Sequence, residues 1–300
     1  MHRRSIERAD ARRRSLRGAA VASATVIASL AVLAAWSGAS HRTEHARAHV
    51  DYGPALRVGN GTARTYVTID RQGAPVEVGV ALDERALDGL PAPKPGHEAA
   101  HMDMHAYLLS LPTGNPTPYR FVELNWNPAG HEPPGIYDKP HFDFHFWTVP
   151  VADRNAIDPS DARYADKAAS LPESSYVLPG WVPGSVLGKI TPGAAAVPRM
   201  GLHWLNPASP ELPPSLRTFT RTYIMGSWDG RVVFHEPMIT RAHILSKKAA
   251  ADSAGRDEVI AVPVAARHGV AGYYPTAYRI AWDATAKVYR VALTGLTRHE

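Results

Sequence analysis

The chain contains no cysteine. Disulfide scaffolds, cysteine-ligated zinc sites, iron–sulfur clusters, cysteine nucleophiles and cysteine-linked lipid anchors are therefore excluded. Two other signatures are missing, a G-x-S-x-G nucleophile elbow and a glycine-rich phosphate loop. Proline and glycine, by contrast, are frequent, with 26 and 23 residues. This composition favours many turns and short strands over long helices.

Beyond residue 40 the chain also lacks an excess of charge of either sign. The formal net charge of +5 comes from the first 40 residues, and the remainder carries 26 basic and 26 acidic side chains. A nucleic-acid-binding protein needs its positive charge on the folded part, so nucleic acid is excluded as a partner. The basic residues of the first segment are Arg3, Arg4, Arg8, Arg12, Arg13, Arg14 and Arg17.

The first 40 residues have the order of a secretory signal. An uncharged apolar segment at 18–36 follows the arginines, and small residues follow it. This order predicts cleavage near Ala39. The apolar segment is also long enough to span a membrane once, so a retained N-terminal anchor is the alternative. In both cases we expect the rest of the chain to be exported, to the periplasm, the cell surface or the exterior.

The remaining sequence predicts a mainly β protein with long Pro/Gly loops and a few short helices. We expect a linker at 41–60 and a single domain at 61–300, built as an antiparallel sheet, a sandwich or a barrel-like structure. A helix is predicted over 238–249, and a short helix within 151–170. Strands are predicted at residues 63–70, 75–82, 119–126, 141–149, 217–227, 231–235, 278–282 and 287–293.

Two segments repeat the pattern His-x-Asp-x-His with apolar residues between the polar ones. They are His101–His105, with Asp103 at its centre, and His141–His145, with Asp143 at its centre. On a strand, alternate side chains share a face, so the histidines and the aspartate would oppose the intervening apolar residues. Imidazole and carboxylate are the ligands that Zn, Fe, Mn and Cu take where thiolates are absent. Both segments are therefore candidate metal sites.

Strand geometry limits how these ligands are shared. Residues two apart lie roughly 6.6 Å apart along a strand and can bind one metal, whereas residues four apart lie roughly 13 Å apart. One strand therefore supplies two adjacent ligands or serves two metals, unless Asp143 orients a histidine instead of binding the metal. If the two motif strands pair, all six groups converge. A solvated polar face without metal is the alternative.

A competing motif overlaps the first segment. His97–His101 matches H-E-x-x-H, which on a helix forms the zinc site of a protease with the glutamate as general base. Pro95 and Gly96 leave no room for a preceding helical turn. A third histidine at the metzincin spacing is absent. A zinc protease is therefore the lesser alternative.

Two further residues are candidates near the predicted strands. His203 is a plausible additional ligand from a loop, although a packing role fits equally. Glu236 ends a predicted hairpin strand and is a candidate ligand or general base. Alternatively, Glu236 is an acidic residue at the start of the predicted helix, where the helix dipole favours a negative charge. Asp143 is the other candidate for proton transfer.

A combination of motifs extends through the second half of the predicted strands, at the segments Asn125–Pro128, Gly130–Tyr137, Pro140–Phe146, Met200–Trp204, Gly226–Gly230 and Glu236–Thr240. This combination resembles a family of exported bacterial proteins of unknown function, typified by a Thermus protein under the control of an envelope-stress sigma factor. The family signature lies in the strand motif and not in H-E-x-x-H, which weakens the protease interpretation. Trp147 stands where the family leads us to expect tyrosine. The resemblance implies an exported β-rich domain and no established activity.

We therefore expect an exported, histidine-rich domain that binds a divalent transition metal, with zinc favoured and Fe, Mn or Cu also compatible. The expected ligands are His101, His105, His141, His145 and His203, with Asp103 and Asp143 as ligands or orienting groups. A metal-dependent hydrolase and a non-catalytic envelope-stress or interaction protein both fit this site. The sequence leaves the substrate open and is compatible with a homo-oligomer.

Overall fold

The computed structural model describes residues 48–94 and 103–300. Strands occupy 39 % of the protein and helices 15 %, which confirms the mainly β prediction. The strands are β1 His49–Tyr52, β2 Leu56–Val58, β3 Gly61–Ile69, β4 Pro75–Asp83, β5 His105–Ser110, β6 Phe121–Asn127, β7 His141–Trp147, β8 Val182–Pro183, β9 Leu202–Leu205, β10 Arg221–Trp228, β11 Arg231–Thr240, β12 Asp257–Ala261, β13 Gly272–Tyr274, β14 Ala277–Asp283, β15 Val288–Thr294 and β16 Thr297–His299.

The helices are short and lie mostly between β7 and β12. They are α1 Val151–Asn155, α2 Tyr164–Ala169, α3 Gly184–Gly188, α4 Pro192–Ala195, α5 Arg241–Ala249 and α6 Ser253–Arg256, with a 3-10 helix at Ser174–Tyr176. Among the described residues, no helix has the length and apolar character needed to cross a membrane.

Two antiparallel sheets of seven strands form the protein. The first has the order β1-β3-β4-β15-β14-β12, with β2 also paired to β3, and the second has the order β5-β6-β7-β11-β10-β9-β8. In the part of the chain that the structure describes, the end strands of each sheet do not pair with each other. The barrel-like alternative is therefore wrong, because both sheets remain open. A separate two-stranded sheet joins β13 and β16.

One apolar core lies between the two large sheets. The first sheet contributes residues such as Val67, Val80 and Val291. The second sheet contributes Phe142 and Phe144, which are fully buried. Because side chains alternate along a strand, the opposite face of each sheet points away from this core. The arrangement is a sandwich, and the candidate site lies on the outer face of its second sheet.

The hairpin of β10 and β11 explains where one helix prediction fails. Asp229 and Gly230 have φ values of 49° and 75°, the left-handed conformation that a tight hairpin turn requires. The second strand then continues through Thr240, which pairs with His141 of β7. The helix predicted from residue 238 therefore begins at Arg241, after Thr240 caps it by accepting a hydrogen bond from the His243 amide at 3.2 Å.

The predicted linker at 41–60 also differs from the structure. Residues 49–52 and 56–58 are strands that pair with β3. The first of these strands is exposed along its whole length. It therefore lacks the alternating burial that marks a strand in a sequence. Its pairing with β3 extends the edge of the first sheet.

Candidate metal centre

The outer face of the second sheet carries a buried layer of polar side chains. In β6 the residues on this face are Glu123, Asn125 and Asn127, and each pairs across to β7. Their partners in β7 are His145, Asp143 and His141, respectively. All six are at most 3 % exposed. We call this set, together with His131, His203 and Glu236, the polar layer.

The alternation predicted for β7 is confirmed on both faces. Phe142, Phe144 and Phe146 enter the apolar core, while the histidines and Asp143 point to the opposite side. This opposite side is not solvated, because His141, Asp143 and His145 are all buried. A buried polar group costs free energy unless a partner satisfies it, so the contacts of these side chains decide what the layer can do.

Three residues form a first group that can hold a metal: His131, His141 and Asp143. His141 Nε2 lies 3.1 Å from Asp143 Oδ1. His131 Nε2 lies 3.8 Å from Asp143 Oδ2. The same Oδ2 accepts a hydrogen bond of 2.7 Å from the side-chain amide of Asn127. Asp143 is thus held between two imidazoles and an amide.

The ring orientation of both histidines follows from backbone carbonyls. His141 Nδ1 lies 2.6 Å from the Lys139 carbonyl oxygen, and His131 Nδ1 lies 2.8 Å from that of Glu132. A carbonyl oxygen only accepts, so each Nδ1 carries the proton and donates it. In the neutral ring, Nε2 then presents a lone pair toward Asp143. This is the arrangement typical of metal-binding histidines.

The charge state of Asp143 depends on its two histidine neighbours. Burial by itself raises the pKa of the Asp143 carboxyl. Positive charge on His141 and His131, which requires a second proton on each ring, outweighs burial and holds the pKa well below its ordinary value. Asp143 is therefore ionised at neutral pH. His141 Nε2 and Asp143 Oδ1 are both buried without a hydrogen-bond partner, although they lie close to each other.

Three other residues form a second group that can hold a metal: His145, His203 and Glu236. They come from three different strands, β7, β9 and β11. Glu236 Oε2 lies 3.5 Å from His145 Nε2 and 3.8 Å from His203 Nε2. Burial lowers the pKa of His145 and raises that of Glu236 well above its ordinary value, with Asp143 and Glu123 adding to the second shift.

An aromatic ring fixes the spacing of the second group. The ring centroid of Phe234 lies 4.7 Å from that of His145 and 5.4 Å from that of His203. Phe234 has room for this position because Gly226 pairs opposite it on β10. A Cβ at position 226 would lie 2.2 Å from the Phe234 ring, so any larger residue would displace the ring. His203 pairs with Gly226 from the other side.

The third carboxylate of the polar layer, Glu123, is neutralised by an arginine. Arg154 of α1 binds Glu123 through both Nε, at 2.9 Å, and Nη2. The Asn125 side-chain amide adds a hydrogen bond of 3.3 Å to Glu123. A bidentate arginine matches a carboxylate in charge and in hydrogen bonds. Glu123 is therefore satisfied, whereas Asp143 Oδ1 and Glu236 Oε2 are buried without a hydrogen-bond partner.

The structure brings together five of the predicted site residues and divides them. His141 and Asp143 belong to the first group, and His145, His203 and Glu236 to the second. A single strand therefore contributes to both groups that could hold a metal. His203 lies on β9 and not in a loop as predicted.

The first His-x-Asp-x-His segment does not join these groups in the described residues. His105 opens β5, which pairs with β6, so β6 separates it from β7. The convergence of all six motif residues is therefore wrong. Asp103 precedes the strand and accepts a hydrogen bond of 2.9 Å from the Lys94 amide. His101 and the H-E-x-x-H segment 97–101 lie outside the described residues.

Sequence reasoning missed the contribution of β6 and did not include His131 among the expected ligands. A signal for β6 was present: Glu123, Asn125 and Asn127 alternate with apolar residues in a strand that is otherwise hydrophobic. His131 follows Gly130, whose φ of 84° reverses the chain after β6. That reversal places the loop back over β7.

Comparison with known proteins gives one partial match. Residues 70–126 match the TTHB210-like family model, described as Hypothetical protein TTHB210. This match supports the resemblance to a Thermus family of hypothetical proteins. The match covers β4, β5 and nearly all of β6, whereas almost all of the motif residues follow it. Neither the curated proteins nor the solved structures include a significant match.

Proposed function

We propose that the chain is an exported protein that binds a divalent transition metal through His131, His141 and Asp143. The observation that carries the proposal is the contact of 3.1 Å between His141 Nε2 and Asp143 Oδ1. Both atoms are buried and neither has a hydrogen-bond partner. His141 Nδ1 donates its hydrogen bond to the Lys139 carbonyl oxygen. In the neutral ring, the lone pair of His141 Nε2 therefore faces a lone pair of Asp143 Oδ1 at hydrogen-bonding distance.

A cation between these atoms accounts for the contact. Metal–ligand bonds of roughly 2.0–2.2 Å put neighbouring ligands of a tetrahedral site about 3.3 Å apart. The distances of 3.1 and 3.8 Å around Asp143 lie on either side of that value. The Asn127 amide occupies the remaining side of the carboxylate and orients it.

The donor atoms are compatible with zinc and with the other candidate metals. Two imidazoles and one carboxylate are ligands that Zn accepts, and Fe, Mn and Cu accept the same atoms. Without cysteine, the chain offers no thiolate that would favour Cu(I) or an iron–sulfur cluster.

A metal-dependent hydrolase is the second candidate function. Three protein ligands leave a fourth position of a tetrahedral metal for water, as in catalytic zinc sites. A metal-bound water has a pKa near neutrality, which makes hydrolysis at neutral pH accessible. A closed site, completed by a fourth protein ligand, would favour the non-catalytic alternative.

The first test measures metal content. The full-length chain, without a polyhistidine tag, is loaded with Zn²⁺, dialysed and analysed by elemental mass spectrometry. We expect His141→Ala and Asp143→Asn each to lose about one equivalent of zinc, because a group reduced to two ligands binds far more weakly. His105→Ala is the matched control, since it removes a histidine outside both groups.

Two results would contradict this proposal. One is an unchanged zinc content in both His141→Ala and Asp143→Asn, with circular dichroism showing that they fold. The other is a parent protein that retains no metal after reconstitution with any of the four candidate metals. In the second case the polar layer would be a hydrogen-bonded interior without metal.

A further inference from the structure

We propose that His145, His203 and Glu236 form a second metal site, separate from the first. Three strands place the ligand atoms within 4.8 Å of one another. Two of the side chains, His145 and Glu236, are 1 % and 2 % exposed. The two groups share no residue, so each can be tested with all ligands of the other present.

Unsatisfied buried atoms distinguish this group from an ordinary hydrogen-bond network. Both ring nitrogens of His145 are buried without a hydrogen-bond partner, and so is Glu236 Oε2. Buried polar groups are satisfied in the great majority of cases, so a cluster of three such atoms requires an explanation. A metal ion satisfies a ring nitrogen and a carboxylate oxygen at once.

The spacing is too long for direct hydrogen bonds and suits a metal between the atoms. The Nε2–Oε2 distances of 3.5 and 3.8 Å exceed the usual 2.7–3.2 Å range of hydrogen bonds. Ligands of one tetrahedral zinc lie about 3.3 Å apart. Small side-chain rotations therefore bring all three atoms onto one ion.

The two groups share one face of β7 but use different neighbouring segments of the chain. The first uses His131 of the loop after β6 and His141 at the start of β7, whereas the second uses β11 and β9. Asp143 and His145 are two residues apart on one strand, which separates their backbones by roughly 6.6 Å. Each group therefore has its own ligand set, although both lie on the same face of β7.

His203 gives the second site a path to solvent. Its side chain is 20 % exposed, in contrast to the two buried ligands. β9 has only the two-residue strand β8 beyond it in the sheet. An ion can therefore enter at His203 and bind between His145 and Glu236. Two histidines and one glutamate also leave a coordination position for an exchangeable water.

Counting zinc ions in single variants tests the second site. We expect the parent to bind about two equivalents, and His203→Ala and Glu236→Gln about one each, because each removes one ligand of three. His203→Ala changes a partly exposed residue and removes one ring contact with Phe234. Glu236→Gln preserves the shape of the side chain. His105→Ala serves as the control, and Co²⁺ absorption in the visible range reports the loss of a site independently.

The results separate the two sites. Zinc lost in His203→Ala but retained in His141→Ala supports the second site and contradicts the first. The second site is overturned if His203→Ala and Glu236→Gln bind as much zinc and Co²⁺ as the parent. It is also overturned if His141→Ala alone removes all bound metal, because a single shared site would then explain the binding.

Discussion

The outer faces of the two sheets both carry carboxylates, but the partners of these carboxylates differ. On the first sheet, Arg279 binds Asp257 through two bonds of 2.7 Å and Glu77 through one of 3.1 Å. On the second sheet, Asp143 and Glu236 face histidines. An arginine always brings protons to a carboxylate, whereas an imidazole nitrogen without a proton brings a lone pair. Arginine neutralises the carboxylates of the first face, whereas the carboxylates of the second face lie in groups that could hold a metal ion.

Within the polar layer, Arg154 binds Glu123 as Arg279 binds the carboxylates of the first sheet. Removing Arg154 has the largest expected effect on stability. Arg154→Met leaves a buried, unpaired carboxylate, which destabilises the fold by about 3–5 kcal/mol. The double variant Glu123→Leu/Arg154→Met recovers most of this loss, since no charge remains. Urea unfolding at pH 7 measures both. A double variant as unstable as Arg154→Met would show that packing, and not charge, explains the effect.

A medium effect is expected where a carboxylate of the first sheet meets donors from α5 and from the second sheet. Burial opposes ionisation of Glu258, but hydrogen bonds from Lys247, Arg221 and His243 lower its pKa to about 2. The folded pKa lies below the unfolded value, so this stabilisation is complete above about pH 4.5 and is lost as the pH falls toward 2. Glu258→Gln should lower the free energy of unfolding at pH 7 by about 1–2 kcal/mol.

The measurement is urea unfolding of the parent and Glu258→Gln between pH 7 and pH 3. The difference between them should shrink as the pH falls below 4.5. A difference that stays constant over this range would mean that the ionised Glu258 does not contribute through its charge.

The smallest effect is expected for an exposed pair beside the first sheet. Lys248 Nζ lies 3.2 Å from Glu84 Oε2, with side chains 47 % and 38 % exposed. Exposed pairs contribute between zero and about 1 kcal/mol, so Glu84→Gln should change stability by less than about 0.5 kcal/mol. The midpoint of thermal unfolding in low and high salt checks this. A loss of stability as large as that of Glu258→Gln would show that solvent exposure does not determine how much each ion pair contributes.

The sequence predicted the two faces of β7 because alternation is a local property of a strand. Phe142 and His141 are neighbours in the chain, and their opposite directions follow from the backbone alone. The ligand partners could not be predicted in this way. Glu236 and His203 reach His145 through the pairing of β11 with β7 and of β10 with β9. Sequence spacing carries no information on such pairings.

The same limit explains the errors. His101–His105 and His141–His145 have equal patterns, and the patterns predict equal strands. Only the sheet order places β6 between β5 and β7 and separates the two motifs. The polar residues of β6 alternate clearly, however, so Glu123 and Asn127 were predictable as members of a polar face.

The pairing of β4 with β15 has a consequence for how the chain is made. These strands are neighbours in the first sheet, yet every strand of the second sheet lies between them in the chain. A ribosome therefore completes both ligand groups before it synthesises β14 and β15. Closing so long a loop is slow, because its entropy is lost before the pairing is gained. The residues of both candidate groups are therefore synthesised before the last strands of the first sheet.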